Sequence, residues 1–156
     1  MTAPQFDFSM KYKKLDPNAL PPRKAHNSDL GWDLFSLEDP IIPPFNSRLV
    51  RTGIAIGFPP NIGGILKDRS GVASDQGLFI HAGVIDPGYT GEILVLMYNS
   101  KKVPVEIKAG AKIAQMILMP VFMVSGMVIF SHTKSQMKFM YQNMNLMAEP
   151  MKQIKM

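Results

Sequence analysis

The sequence predicts an all-β domain of the sandwich or barrel type. Its 13 prolines and 12 glycines are spread along 156 residues, which favours many short strands joined by turns over long helices. Before residue 131 no apolar pattern keeps a helical period for more than about two turns. Short runs of β-branched and aromatic residues alternate instead with turn residues, as in sandwiches and barrels.

The length of the chain is that of one domain with a substantial core. The absence of cysteine excludes a disulfide framework and a thiolate metal site. No apolar run approaches the length of a membrane span, and the N-terminus lacks a signal-peptide pattern, so we expect a soluble intracellular protein, cytoplasmic or nuclear, without a membrane partner.

The charge distribution gives no sign of a nucleic-acid partner. The formal net charge is +5, but residues 131–156 alone hold four lysines against one glutamate. The remaining basic residues are scattered along the chain, whereas a nucleic-acid interface collects them in one patch.

The predicted strands follow the chain as separate apolar runs. In order, they are residues 5–15, 27–36, 41–58 (bent at the two prolines 43–44 and interrupted at 51–53), 62–66, 78–80, 93–97, 105–107 and 112–120.

The stretch Gly77 to Asn99 organises the rest of the chain, because two apolar strands flank a polar turn there. In the turn, Pro87 fixes φ at the first central position and Gly88 accepts the positive φ that a type II turn needs at the second. The pattern predicts a rigid hairpin tied to the core through Val84 and Ile85. Asp86 lies at its mouth, either merely to start the turn or as a site carboxylate.

Two more polar groups stand in apolar runs. Asp33 lies between Trp32 and Leu34, so in a strand it points away from the core, as a solvated residue or as a site group. Gln115 lies within the apolar run 112–120, where an unpaired amide would be costly, so it must find hydrogen-bond partners.

The triplet Arg69-Ser70-Gly71 follows a predicted strand and suits an anion. The guanidinium offers a fork of donors, the serine a hydroxyl, and the glycine a closely approachable N–H. A helical turn over residues 72–76 would aim its first amides at the same anion. The alternative is an ordinary surface loop with a salt bridge from Asp68 to Arg69.

Four segments, taken together, resemble the first four motifs of the trimeric dUTP diphosphatases, the dUTPases. They are NSDLGWDLFS, DRSGVAS, GVIDPGYTGEI and GAKIAQMI, in family order and near family spacing over roughly residues 20–122. The third also occurs in the related dCTP deaminases. The deaminases place an essential glutamate and arginine where this chain has Leu96 and Ser74, so deamination is not implied.

The resemblance implies a jelly-roll-like β-barrel over residues 1–130 that assembles as a homotrimer with three sites between subunits. It also implies Mg²⁺-dependent hydrolysis of dUTP to dUMP and pyrophosphate. Asp86 would be the general base that activates water, with Gln115 helping to hold water and phosphate, and Asp33 would contact Mg²⁺ through water.

For the substrate, the resemblance implies that Tyr89 stacks on the deoxyribose, where a 2′-hydroxyl would clash. Backbone groups of the turn would read the uracil edge, and the triplet would bind the phosphates. The implied substrate-binding residues are Arg69, Ser70, Gly71, Gly83, Val84, Ile85 and Tyr89.

The family's fifth motif, a glycine-rich arm with an arginine, is not found. No glycine follows Gly126 and no arginine follows Arg69. The tail of residues 131–156 instead spaces methionines by three and four, which predicts a short amphipathic helix that packs on the trimer or, alternatively, binds a partner or a membrane surface. An alternative function is therefore a dUTPase-fold nucleotide-binding regulator or protein-interaction module with reduced or lost catalysis.

Overall fold

The structure is a computed structural model that describes residues 10–121. These residues form ten strands and one short helix. In chain order the elements are β1 (Lys11–Lys14), β2 (Gly31–Phe35), β3 (Ile41–Ile42), β4 (Ser47–Gly57), β5 (Ile62–Lys67), α1 (Ser70–Gln76), β6 (Leu78–His81), β7 (Val84–Ile85), β8 (Glu92–Asn99), β9 (Val105–Glu106) and β10 (Lys112–Pro120).

Two four-stranded sheets carry the fold, and every strand pair in them is antiparallel. The first sheet has the order β1-β4-β8-β6 and the second β2-β10-β5-β7, while β3 and β9 form a small third sheet. One buried apolar cluster draws Val50 and Val95 from the first sheet and Leu34 and Met116 from the second. The two sheets thus share one core, and the predicted all-β class is confirmed.

The interruption predicted at residues 51–53 is a bulge in β4. The pairing of β4 with β8 shifts register between Arg51 and Ala55, and Gly53 adopts a positive φ of 67°. The Glu92 carboxylate accepts a hydrogen bond from the Gly53 amide at 2.7 Å, while the Thr52 hydroxyl donates to the Ile93 carbonyl at 2.7 Å. The bulge is therefore fixed to the start of β8.

In the predicted hairpin over residues 77–99 the two flanking apolar strands do pair with each other, but the segment that leads into the turn joins the other sheet. β6 pairs with β8 in the first sheet, whereas β7 pairs with β5 in the second. The chain changes sheets at Ala82, which has a φ of 51°, and at Gly83. A Cβ at Gly83 would come within 2.5 Å of the Leu66 carbonyl oxygen, so only glycine permits this approach of the two backbones.

One of the two residues predicted to anchor the turn in the core does not do so. Val84 is 70% exposed, so it does not tie the turn to the core as predicted, whereas Ile85 does pack against the core cluster.

No helix in the described part of the chain is long and apolar enough to cross a membrane. The predicted start of the first strand at residue 5, the domain boundary at 130 and the tail helix lie outside the described residues.

Candidate active site

A row of polar side chains crosses the second sheet. Asp33 on β2 is the register partner of Gln115 on β10, and Gln115 is in turn the partner of Lys67 on β5. Directly opposed residues of antiparallel strands share one face of the sheet. The adjacent residues Leu34 and Ala114 are buried, so the polar row lies on the face turned away from the core.

Asp33 is nevertheless only 5% exposed, because two cations cover it. Its Oδ1 is ion-paired with Nη1 of Arg69, and its Oδ2 lies 2.9 Å from Nζ of Lys112. The alternative of a solvated carboxylate is thereby excluded. The alternative salt bridge from Asp68 to Arg69 is also wrong, since the Asp68 carboxylate accepts the backbone N–H of Ile80 at 2.6 Å.

Gln115 has the hydrogen-bond partner that the sequence requires. Its Nε2 donates to the Asp68 carbonyl at 2.8 Å. Its Oε1 lies over Gly31, where an added Cβ would come within 2.6 Å of that oxygen. Gly31 thus leaves room for the Gln115 amide. We refer to Asp33, Arg69, Lys112 and Gln115 together as the polar cluster.

α1 begins directly beside the polar cluster. Its first hydrogen bond runs from the Ala73 amide to the Arg69 carbonyl at 2.9 Å, so the predicted helical turn is confirmed and begins two residues earlier, at Ser70. Arg69 makes no side-chain cap, and the first amides of any helix lack an intrahelical acceptor. Ser70 and Gly71 are exposed, which leaves their polar groups open to a ligand.

The turn Asp86–Tyr89, here the Asp86 turn, has the predicted geometry. The Tyr89 amide donates to the Asp86 carbonyl at 3.1 Å, and Gly88 has the positive φ, 83°, that a type II turn demands. The Asp86 side chain is exposed. The Tyr89 hydroxyl donates to the Glu92 carbonyl at 2.9 Å, and a Cβ on Gly91 would come within 2.6 Å of the Tyr89 hydroxyl oxygen.

Within one chain, the Asp86 turn and the polar cluster do not meet. Ile85 pairs with Gly64 of β5, which places the turn beside Gly63, whereas Gln115 pairs with Lys67 at the other end of that strand. Four residues along a strand span roughly 13 Å. The side chains of Asp86 and Gln115 are too short to hold one water molecule across that distance.

Lys112 escaped the sequence reasoning because of a bulge in β10. Strict alternation places Lys112 and Gln115 on opposite faces of a strand, but the register with β2 shifts between Lys112 and Ala114. That shift lets the Lys112 side chain reach Asp33, the register partner of Gln115. Gly91 was also missed as a site residue, although it lies in the segment GVIDPGYTGEI, two residues after Tyr89.

The described residues hold no group of three or more His, Cys, Asp or Glu side chains that could bind a metal ion. Both oxygens of Asp33 already face cations, which argues against Asp33 as a direct ligand. Mg²⁺ is commonly held by substrate phosphates and retained water with little direct protein ligation. The residues present would fit that arrangement, in which Asp33 would contact the ion only through one of its waters.

A cavity of about 340 Å³ lies beside α1, with Val72, Ile107 and Lys112 among its lining residues. Its lining excludes Asp86, Tyr89, Arg69 and Gln115. The cavity is therefore separate from the turn and borders the polar cluster only through Lys112.

Comparisons with known proteins assign the family. A family model described as dUTPase matches residues 18–145. The deoxyuridine 5'-triphosphate nucleotidohydrolase of Clostridium kluyveri is 44% identical over 111 residues, covering 70% of this chain and 78% of that protein. The protein of the same name from Gloeothece citriformis is 42% identical over 117 residues, covering 74% and 81%.

Solved structures agree with the sequence relatives. The dUTPase from phage phi11 of S. aureus superposes with a TM-score of 0.75 at 25% identity, covering 81% of this chain and 99% of that one. A mutant of that phage enzyme, also at a TM-score of 0.75, is described as revealing the coordination of a structural Mg(II) ion. Fold and sequence thus define one class, the deoxyuridine triphosphate nucleotidohydrolases. The chain belongs to the dUTPase family.

Proposed function

We propose that this protein hydrolyses dUTP to dUMP and pyrophosphate, as a homotrimer with Mg²⁺ as its cofactor. One observation carries the proposal beyond family membership. Two sets of groups with complementary chemistry lie at the two ends of β5: an exposed carboxylate on a fixed turn, and a cationic cluster beside the start of α1.

Asp86 is proposed as the general base. Its exposed carboxylate would accept a proton from water while the water oxygen bonds to the α-phosphorus, and the phosphoanhydride bond between the α- and β-phosphates breaks so that pyrophosphate leaves. The closed turn holds the Asp86 backbone, so the carboxylate needs little reorganisation to reach its position. Gln115, anchored through its Nε2 on the Asp68 carbonyl, has its remaining amide groups to orient phosphate and water.

The segment from Gly83 to Tyr89 is proposed to recognise the nucleoside. The Gly83 carbonyl accepts the Leu66 amide at 2.7 Å, which fixes the backbone that would read the uracil edge, including Val84 and Ile85. The Tyr89 ring would pack on the deoxyribose and leave no room for a 2′-hydroxyl. These contacts favour dUTP over UTP.

The polar cluster and the start of α1 are proposed to bind the phosphates. Arg69 gives one terminal nitrogen to Asp33, but a guanidinium has five N–H donors, so others remain for phosphate oxygens. Ser70 adds a hydroxyl and Gly71 a backbone N–H. Donors fixed before the substrate arrives stabilise the charge that develops as pyrophosphate leaves.

Mg²⁺ is proposed to be held by phosphate oxygens and water, with Asp33 contacting it through one of its waters. When bound, the ion supplies charge neutralisation and orientation of the triphosphate chain. A deoxynucleoside triphosphate substrate also implies an intracellular location for the activity.

Two features support a homotrimer with its sites between subunits. The first is the separation of Asp86 from Gln115 within one chain, because a turn from one copy can approach the polar cluster of another. The second is an apolar outer face on the first sheet, where Leu49, Phe79 and Leu94 are 54%, 38% and 37% exposed. Exposed apolar surfaces of this kind mark interfaces in soluble proteins.

The test is pyrophosphate release from dUTP with Mg²⁺, measured beside dTTP, dCTP and UTP. At substrate concentrations near the KM for dUTP, we expect pyrophosphate to be released from dUTP and not from dTTP, dCTP or UTP. The alternative, a nucleotide-binding regulator without catalysis, predicts dUTP binding with no pyrophosphate. The Asp86 carboxylate is exposed and has no side-chain partner among residues 10–121, which favours the enzyme, because a purely binding protein has no need of a base there.

A further inference from the structure

Asp33 lies between two cations that come from different elements. Arg69 follows β5 and faces one carboxylate oxygen, while Lys112 at the start of β10 faces the other at 2.9 Å. The Asp33 side chain is 7% exposed, whereas those of Arg69 and Lys112 are 32% and 44% exposed. A buried anion is thus covered by two half-exposed cations.

One cation is enough to compensate one carboxylate, so the second needs a reason. Asp33 and Arg69 alone form a neutral pair, which attracts a polyanion weakly. With Lys112 the three groups carry a net charge of +1. Lys112 therefore restores the positive charge that Asp33 takes from Arg69.

Lys112 also fixes the orientation of the carboxylate. Because each Asp33 oxygen has its own cation, the carboxylate cannot rotate without breaking a contact. Its Oδ1 stays turned to Arg69, and that contact in turn holds the guanidinium beside the start of α1. The orientation of Arg69 thus depends on Lys112 through Asp33.

We propose that Lys112 is a positioning residue for the triphosphate: it holds Asp33, keeps Arg69 directed at the phosphates, and gives the polar cluster its net positive charge. The inference rests on the proposed function and extends it to a residue outside the predicted site. If Lys112 had only a structural role, its half-exposed ion pair would contribute little to stability, and its loss would affect all ligands alike whatever their charge.

The variants are Lys112→Met, which keeps the aliphatic length without charge, and Lys112→Arg, which keeps the charge. Lys108→Met is the matched control, because it removes the same charge four residues away. The hydrogen bond from Lys108 to the Glu106 carboxylate raises the pKa of Lys108, so the control residue is cationic at neutral pH and is committed to a partner outside the polar cluster.

The measurement is the affinity of the full chain, with Mg²⁺, for dUMP, dUDP and the non-hydrolysable analogue dUpNHpp. We expect Lys112→Met to weaken dUpNHpp binding by about tenfold, or ~1.4 kcal/mol, and dUMP binding much less. Lys112→Arg and Lys108→Met should stay near wild type. In dUTP hydrolysis, Lys112→Met should raise KM more than it lowers kcat.

The inference would be overturned, with the proposed function intact, if Lys112→Met lost equal affinity for dUMP, dUDP and dUpNHpp. It would also be overturned if Lys112→Met and Lys108→Met lost the same dUpNHpp affinity. If wild-type protein binds none of the three nucleotides, the proposed function fails and the inference fails with it. Thermal unfolding of each variant accompanies the binding series. A loss of dUpNHpp affinity in Lys112→Met with an unchanged unfolding midpoint supports positioning over a structural contribution.

Discussion

The hydroxyl of Tyr89 donates a hydrogen bond to the carbonyl oxygen of Glu92 over 2.9 Å. The bond ties the ring to the backbone that leads into β8, and Gly91 leaves the space that the ring occupies. The orientation of the ring is therefore set within the protein before any nucleotide binds.

Sugar discrimination follows from this arrangement. We expect wild type to prefer dUTP strongly to UTP, and Tyr89→Ala to narrow the preference by roughly tenfold, since burying an aromatic ring is worth on the order of 1.5 kcal/mol. Gly91→Ala should narrow it as well, because its Cβ would fall 2.6 Å from the Tyr89 hydroxyl oxygen. The readout is the ratio of kcat/KM for dUTP and UTP.

The control for Gly91→Ala is Gly57→Ala, whose Cβ would meet its nearest atoms at an ordinary 3.8 Å. A wild-type protein that accepts UTP and dUTP equally would contradict the assignment of Tyr89.

Loss of the general base is tested by Asp86→Asn. Asparagine also suits the first position of the turn, so the backbone and nucleotide binding should survive, while kcat should fall by at least ~100-fold, the usual scale for such a loss. Asp39→Asn, at an exposed carboxylate between β2 and β3, is the control. Turnover near wild type in Asp86→Asn would remove this residue from the mechanism.

Sites between subunits predict complementation. Asp86→Asn and Arg69→Ala should each be inactive alone. Dissociation and reassembly of an equal mixture should restore activity in about a quarter of the sites, because random head-to-tail assembly pairs the two intact halves that often. Activity is compared with the mass of the assembly before and after mixing. If mixed trimers recover no activity, Asp86 and Arg69 of each site belong to the same chain.

The tail gives a prediction about the phosphates. Residues 131–156 contain neither arginine nor glycine, so deleting residues 134–156 removes no guanidinium that would close over the triphosphate. We expect kcat/KM to change by less than tenfold, about 1.4 kcal/mol of barrier. A thousandfold loss with the oligomer mass unchanged would show that the tail is a catalytic arm.

The strands were predictable because their apolar runs end at clear breakers. β10 matches its predicted bounds, residues 112–120, since Gly110 precedes the run and Pro120 ends it. The Asp86 turn was predictable for the same reason, as Pro87 and Gly88 leave the backbone few conformations.

The change of sheet between β6 and β7 was not predictable. The alternation of apolar and polar residues is the same whichever sheet a strand joins. The positive φ at Ala82 is rare for a residue with a side chain, so nothing in the sequence indicates it. The contacts of Asp33 depend in the same way on the bulge in β10. In both places the deciding feature is local backbone geometry, a positive φ in one and a bulge in the other, that the apolar pattern does not encode.

Because β7 is short, the Asp86 turn is held to the second sheet by few hydrogen bonds and can detach locally while the rest of the domain stays folded. Only two residue pairs join β7 to β5, supplemented by the bond from the Leu66 amide to the Gly83 carbonyl. Few hydrogen bonds and an exposed Val84 make a low free energy of local opening, well below that of global unfolding. Amide hydrogen exchange at Leu66 therefore follows the detachment of the turn, while the exchange of β4 and β8 follows the domain as a whole.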